Sequence, residues 1–473
     1  MADYVQRIVR TLDSMDPTIP PSYDGATTPG RSAGLPGYSR RSSGVQRRVL
    51  TEHEFHLSSR GSKPPWATLK VLSRSPTPTQ LPMFLEGDKI TGTFTFNLEQ
   101  ADSITSVRAV AKGQIIPGPA DRDAFTFVET TSTLWSKENG DPRNPSSSRY
   151  SGKLSGHYEW PFTLEIPIAV TLAGTNHFRA GTFHLPQTFL ERRFPTSVQY
   201  FLMVLIDRSR FRVNSRVQTN FAYVPATRPP PPSLLRQLAY QQNTPLLGPD
   251  ADPAGWEQFP SFTVRGTVFS ARRVEATCHF ALAKPLCYTR GSPIPCVMLM
   301  SSTDCQALDL LSAPRAISVH LRRRLKPVLP ASKRNGIFDA NADLSADPAE
   351  NMAAATWWPS LAGGSEDIVL SSSQRISRRR LDGEIQLPTS LKPSCRMAHF
   401  AVEYTVEVLP FKATAFTSAD STPLLRQSVE IVTMFPSNCP RPRAYAPPQY
   451  NVAQEEARDN YFNADGLGHV WRT

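Results

Sequence analysis

The sequence predicts an all-β protein made of two β-sandwich domains in tandem, flanked by disordered tails. Three observations predict it. Short runs alternate apolar and polar residues at period two, separated by turn residues, and no long amphipathic helix competes with them. Four consecutive prolines, Pro229 to Pro232, interrupt that pattern near the middle. Both ends of the chain are rich in Ser, Arg, Pro and Gly, with little apolar periodicity.

Residues 1–66 read as an N-terminal tail, in which only Tyr4 to Leu12 could make a short helix. Order is expected from near Trp66. Ile90 to Leu98 alternates as a half-buried strand should, and Ile104 to Ile116 follows as a second. Strand-like runs recur at Phe125 to Leu134, Trp160 to Ile166, Val198 to Ile206 and Arg216 to Tyr223. Pro117-Gly118, Asn139-Gly140 and Ala173-Gly174 supply turns between them, and Gln187 to Arg193 suits one or two helical turns. The first domain is therefore placed at 67–225.

A proline-rich linker is expected at 226–259, because a run of prolines is stiff and cannot pair inside a sheet. Strands resume at Phe262 to Phe269, Ala276 to Leu282, Cys296 to Met300 and Ala316 to Leu321. Residues 330–380 are diluted with Ser, Ala, Asp and Arg and read as a loop insertion. Phe400 to Val408 alternates cleanly, and Val429 to Met434 closes a second domain at 260–436. Residues 437–473 form the C-terminal tail. Each domain has roughly the size of a single sandwich.

Composition narrows the classes of function. The net charge of +11 is carried mostly by arginine, with runs at Arg40-Arg41, Arg47-Arg48, Arg322 to Arg324 and Arg378 to Arg380. Such a surface can contact acidic lipid headgroups, phosphorylated tails or nucleic acid, or simply solubilise loops. The 6 cysteines contain no C-x-x-C pair and read as buried thiols in a reducing compartment. The first 30 residues lack a secretory pattern, and the longest apolar run, Phe201 to Ile206, is too short for a bilayer, so a soluble intracellular protein is expected. No G-x-S-x-G, H-E-x-x-H, P-loop or G-x-G-x-x-G occurs. The histidines are scattered: His53 and His56 in the tail, His177 and His184 flanking a turn, His279, His320 and His399 in strands. Neither catalytic nor metal-binding residues are assigned, no cofactor is expected, and the chain is not read as an enzyme.

Two motifs stand out instead. Pro20-Pro21-Ser22-Tyr23 and Pro447-Pro448-Gln449-Tyr450 both fit P-P-x-Y, where composition alone gives roughly 0.1 per chain. Adjacent prolines pre-set the polyproline II conformation, and the tyrosine adds an apolar ring with a polar tip. That combination is the ligand of WW domains, whose P-P-x-Y readers include a class of ubiquitin ligases. Two linked ligands suggest a bivalent partner. In the same tail, Arg40-Arg41-Ser42-Ser43 resembles a basic-directed kinase site, so Ser42 and Ser43 are candidate phosphorylation sites.

The domains themselves resemble those of arrestin-like proteins, specifically the α-arrestin (arrestin-related trafficking adaptor) family. In the first, the resemblance lies in Gly87-Asp88 leading to Gly92-Thr93, Phe127 through Trp135, Tyr158-Glu159-Trp160-Pro161-Phe162, and the exit at Tyr223-Val224-Pro225 with Arg228-Pro229. In the second it lies in Lys284 through Tyr288, Gly291 and Ile294-Pro295. It covers about 67–436. Most of these positions serve the fold: Trp135 and Trp160 as buried aromatics, Gly92 as a close approach or bulge within a strand.

The resemblance implies an arrestin fold of two immunoglobulin-like sandwiches. It also implies a cytoplasmic adaptor, peripheral at the plasma membrane or endosomes, that grips cytosolic segments of membrane transporters or receptors. Members with P-P-x-Y motifs bring WW-domain HECT-type ubiquitin ligases to that cargo for ubiquitination and endocytosis. Pro447, Pro448 and Tyr450 sit where the family places its motif, whereas Pro20, Pro21 and Tyr23 lie in the opposite tail. Lys70, Lys89, Lys112, Lys137 and Lys153 are candidates for modification of the adaptor itself. The alternative is an arrestin-fold scaffold in endosomal sorting or pH signalling without ligase recruitment. Nucleic-acid binding by an immunoglobulin-like sandwich is not expected, because the arginine runs fall in the tail and in apparent loops.

Overall fold

A computed structural model describes residues 50–57, 65–118, 124–144, 149–174, 180–192, 194–209, 212–326, 349–360, 366–371, 374–398 and 400–450. The described residues are nearly all β, with 56% strand and 7% helix. The chain divides into two compact units. The first takes the described residues up to Ile116 with Ala124–Ile168 and Thr188–Val224; the second takes Ala169–Gln187 and the chain from Pro225.

The first unit is a sandwich of two antiparallel-dominated sheets. Thr51–Leu57, Ala67–Ser73, Lys89–Asp102 and Leu154–Glu165 form a four-stranded sheet in that order. Met83–Leu85, Ser215–Val224, Ser197–Arg208, Ile104–Ile116 and Phe125–Ser136 form the five-stranded partner. Alternation explains the arrangement: along Ala67–Ser73 every second residue is buried, and Leu69 and Val71 are fully so. Tyr200, Leu202, Val204 and Ile206 present the same pattern from the other sheet. Aromatic edges knit the layer, with Phe94 on Phe96 at 4.8 Å and Phe84 on Phe221 at 5.4 Å between ring centroids.

Three features differ from expectation here. Thr51–Leu57 lies inside the stretch read as tail, yet it pairs with Ala67–Ser73 along its whole length. Its buried position is filled by His53 rather than an aliphatic residue, which hid the alternation from a hydropathy reading. Gln187 to Arg193 makes no helix among its described residues. The Thr188 N–H instead donates to the Tyr223 carbonyl while the Tyr223 N–H donates to the Thr188 hydroxyl, and Phe189 bridges to Val198. Trp135 is buried and its indole N–H donates to the Gly140 carbonyl, but Trp160 is only half-buried, stacked on Tyr158 at 5.5 Å. Gly92 is a close approach as expected: it faces Phe162 across the strands, and a Cβ there would lie 2.7 Å from that ring and against the Lys70 carbonyl oxygen.

The second unit is built on a curled 13-stranded sheet, ten of whose strands follow one continuous hydrogen-bonded path. Its first half runs Cys287–Thr289, Leu425–Val432, Phe400–Val408 and Val319–Lys326. Its second half runs Gln374–Gln386, Pro293–Ser302, Arg272–Ala283, Phe262–Val268 and Phe416–Ser418. Glu350–Pro359 joins the halves. Residues up to Ala354 pair with Val319–Lys326, and from Ala355 the same strand pairs with Gln374–Gln386. A strand that changes sheets makes the corner of a sandwich, and the small side chains of Ala353, Ala354 and Ala355 leave room for it.

This corner overturns the reading of 330–380 as a loop. Glu350–Pro359, Glu366–Ser371 and the start of Gln374–Gln386 lie within it, and Trp357 is among the largest fully buried side chains. Residues 327–348 lie outside the described residues. The linker reading also changes. After the prolines, helix α1 (Leu234–Gln242) is capped by Ser233, whose hydroxyl accepts the Arg236 N–H, and ends at Asn243 with φ of 55°. Trp256–Gln258 then pairs with Arg272–Ala283. Helix α2 (Cys305–Leu311) is capped by Asp304.

Candidate partner-docking segment

Helix α1 is bolted to the second unit by one arginine. Arg236 is 4% exposed; its two terminal nitrogens donate to the Lys284 and Gly255 carbonyls at 2.7 and 2.5 Å. Its guanidinium lies 4.9 Å from the centre of the Trp256 ring. Burial pulls its pKa down from the ordinary arginine value. Asp252, also buried, accepts from Ser233 Oγ and the Gly255 N–H, which fixes the loop under the helix.

That arrangement presents Tyr240 and Asn243 to the C-terminal segment, where Pro436 onward was read as tail. Residues 436–450 pack back on the second unit instead. Arg441 covers the Phe435 ring at 4.9 Å, and Arg443 Nη1 donates to Asn243 Oδ1 at 3.3 Å. The Tyr445 ring stacks on Tyr240 with centroids 6.4 Å apart, and the Tyr445 N–H donates to Glu384 Oε2 at 2.8 Å. The motif follows at once. Pro448–Tyr450 is a turn of 3-10 helix, closed by the Tyr450 N–H donating to the Pro447 carbonyl at 2.9 Å, and it lies beside Glu350–Pro359. Pro448 is exposed, while Pro447 and Tyr450 are half-buried.

The remaining assignments separate. Pro20, Pro21, Tyr23, Ser42, Ser43, Arg40-Arg41, Arg47-Arg48, His177 and His399 lie outside the described residues, as does Tyr4 to Leu12. Lys89 and Lys153 are exposed and Lys112 and Lys137 half-buried. Lys70 is half-buried between Glu52, at 3.0 Å, and Glu54, at 2.5 Å.

Both described arginine runs are in strands, not in loops as expected, and carboxylates on neighbouring strands, on helix α2 and within the same strand accommodate several of their members. Arg322 reaches Glu407 at 3.0 Å, Arg323 reaches Glu350 at 2.6 Å, Arg379 reaches Asp309 at 2.7 Å and Arg380 reaches Asp382 at 3.3 Å. Guanidinium groups neutralised in this way have little left for a phosphate backbone.

Among the described residues, no group of three or more His, Cys, Asp or Glu side chains is placed to hold a metal ion, and no helix is long and apolar enough to cross a membrane. Cys278 and Cys296 are buried as expected, Cys287, Cys395 and Cys439 half-buried, and Cys305 exposed. Burial pushes the thiols of Cys278, Cys287 and Cys395 up to about 12, far from the thiolate a nucleophile needs. His53 sits in a strand and bonds Ser73 Oγ at 2.9 Å rather than standing ready for a ligand. Compared with protein-family models and with curated proteins, the chain matches none.

Proposed function

We propose that the chain is an adaptor of the α-arrestin kind. Its β-sandwich body engages a membrane-protein cargo, and its proline–tyrosine motifs recruit a WW-domain HECT-type ubiquitin ligase, promoting ubiquitination and endocytosis of that cargo. The observation that carries the reading is the position of Pro447-Pro448-Gln449-Tyr450. It lies a short packed segment beyond Leu425–Val432, the last strand of a β-rich unit, with Pro448 open to solvent. A second such motif at Pro20-Pro21-Ser22-Tyr23 supports it.

Work at the cytoplasmic face of the plasma membrane or endosomes follows from such a role. The paired state of the strand arginines speaks against nucleic acid as the partner. Capture of the full chain on immobilised tandem WW domains tests the proposal. Tyr450→Ala is expected to remove most of the captured chain, and Tyr23→Ala with Tyr450→Ala to abolish capture. Undiminished capture of the double variant sinks it.

A further inference from the structure

The C-terminal motif is folded in a form that its reader cannot use. A WW-type groove reads an extended polyproline II segment, with ψ near +145°, whereas a 3-10 turn holds ψ near −20 to −30°. Pro448–Tyr450 is in the second state, and its closing bond uses the Tyr450 N–H. Immediately before it, Glu384 on Gln374–Gln386 is 4% exposed and faces the chain's own backbone. Its carboxylate accepts the N–H groups of Tyr445, at 2.8 Å, and Ala446. Among the described residues, no lysine or arginine is paired with it.

We propose that Glu384 is a latch: by holding the Tyr445 and Ala446 amides it keeps the adjoining motif folded against the second unit, and ligase docking requires its release. The inference rests on the docking reading above and adds regulation to it.

The energetics suit a latch that opens. A desolvated carboxylate without a cation is costly, and two charge-assisted N–H bonds offset that cost; on release, water takes over the same role. The Tyr445 hydroxyl is buried with no hydrogen-bond partner among the described residues, which further reduces the net gain from closure. The Tyr240–Tyr445 stack and the Arg443–Asn243 bond supply the remainder. Closed and open forms so balanced need only a modest differential contact to exchange.

Binding of a tandem WW-domain protein, measured in a Tyr23→Ala background so that only the C-terminal motif is read, tests the latch. A synthetic peptide of residues 441–455 serves as the open reference. The full chain is expected to bind about tenfold more weakly than the peptide, as when about a tenth of the population is open. Tyr445→Pro deletes one donor and the Tyr240 stack while leaving Glu384 in place, and Glu384→Ala deletes the acceptor alone; each is expected to bring the chain to the peptide's affinity. Tyr445→Pro in the peptide is expected to change its affinity less than twofold.

Equal affinity of the unmodified chain and the peptide overturns the latch, as does failure of both variants to tighten binding. A peptide that does not bind overturns the docking reading instead. Hydrogen exchange then still judges the latch itself: the Tyr445 and Ala446 amides are expected to be protected in the full chain and to lose protection in Glu384→Ala. Fast exchange in the unmodified chain overturns it.

Discussion

His53 shows how one buried polar residue couples the fold to its medium. It is 1% exposed on the edge strand Thr51–Leu57, with Ser73 Oγ at 2.9 Å from Nε2 and the Pro78 carbonyl at 3.3 Å from Nδ1. Burial lowers its pKa below 6.5, although the Pro78 contact partly opposes the shift. In the window just below 6.5 the unfolded chain binds a proton that the folded chain refuses. Stability is therefore fully present above that window and falls as pH drops through it. His53→Gln is expected to flatten the dependence of the melting temperature on pH between about 5 and 7, with His320, whose pKa is lowered in the same way, retaining part of the slope. An unchanged slope would remove His53 from the account. Glu384 is the opposite case: burial pushes its carboxyl up, and the Tyr445 and Ala446 amides pull it back.

Among the elements, Glu350–Pro359 does the most for the second unit, because it carries the path from one half to the other. Trp357 anchors it: the side chain is 2% exposed and lies over Gly383 on the facing strand. A Cβ at Gly383 would stand 2.5 Å from the Trp357 ring, so the glycine is required by close approach. Trp357→Ala is expected to lower stability by about 3–5 kcal/mol through the cavity it leaves, and Gly383→Ala by about 1–3 kcal/mol through overpacking. Denaturant midpoints check both, and values near zero would show that the corner does not depend on this contact. Helix α1 plays the corresponding role for the C-terminal segment, since Arg236 holds the helix and the helix presents Tyr240 to Tyr445.

At the scale of the whole molecule the two motifs bracket the β-sandwich body in sequence, and on the proposed reading a tandem WW protein engages both. Linked sites convert the second binding event into an intramolecular one. Either Tyr23→Ala or Tyr450→Ala alone is therefore expected to weaken binding to a tandem WW protein by at least about tenfold, while on a single isolated WW domain Tyr450→Ala loses less than about threefold, because the latched motif adds little there. Titration calorimetry with both readers checks this. Equal losses on the two readers would show that the motifs act independently.

The all-β class was legible in the sequence because half-buried strands alternate, and Phe400 to Val408 or Ile90 to Leu98 display that alternation in residue type alone. The C-terminal motif was legible for a similar reason: prolines and a tyrosine carry their chemistry locally. Three elements were hidden because tertiary partners override local composition. Thr51–Leu57 buries a histidine, Glu350–Pro359 is held by a tryptophan, Trp357, packed over Gly383 on the neighbouring strand, and α1 follows four prolines yet is capped by Ser233 and held by Arg236. What the sequence by itself determined, then, is the kind of secondary structure and the presence of two P-P-x-Y segments, since both depend on neighbours along the chain. Only the tertiary structure decided that the Tyr445 amide bonds Glu384 and that the motif after it lies beside Glu350–Pro359. The Glu384 contact joins residues far apart in sequence, and its stability comes from burial and hydrogen bonding that no local pattern records.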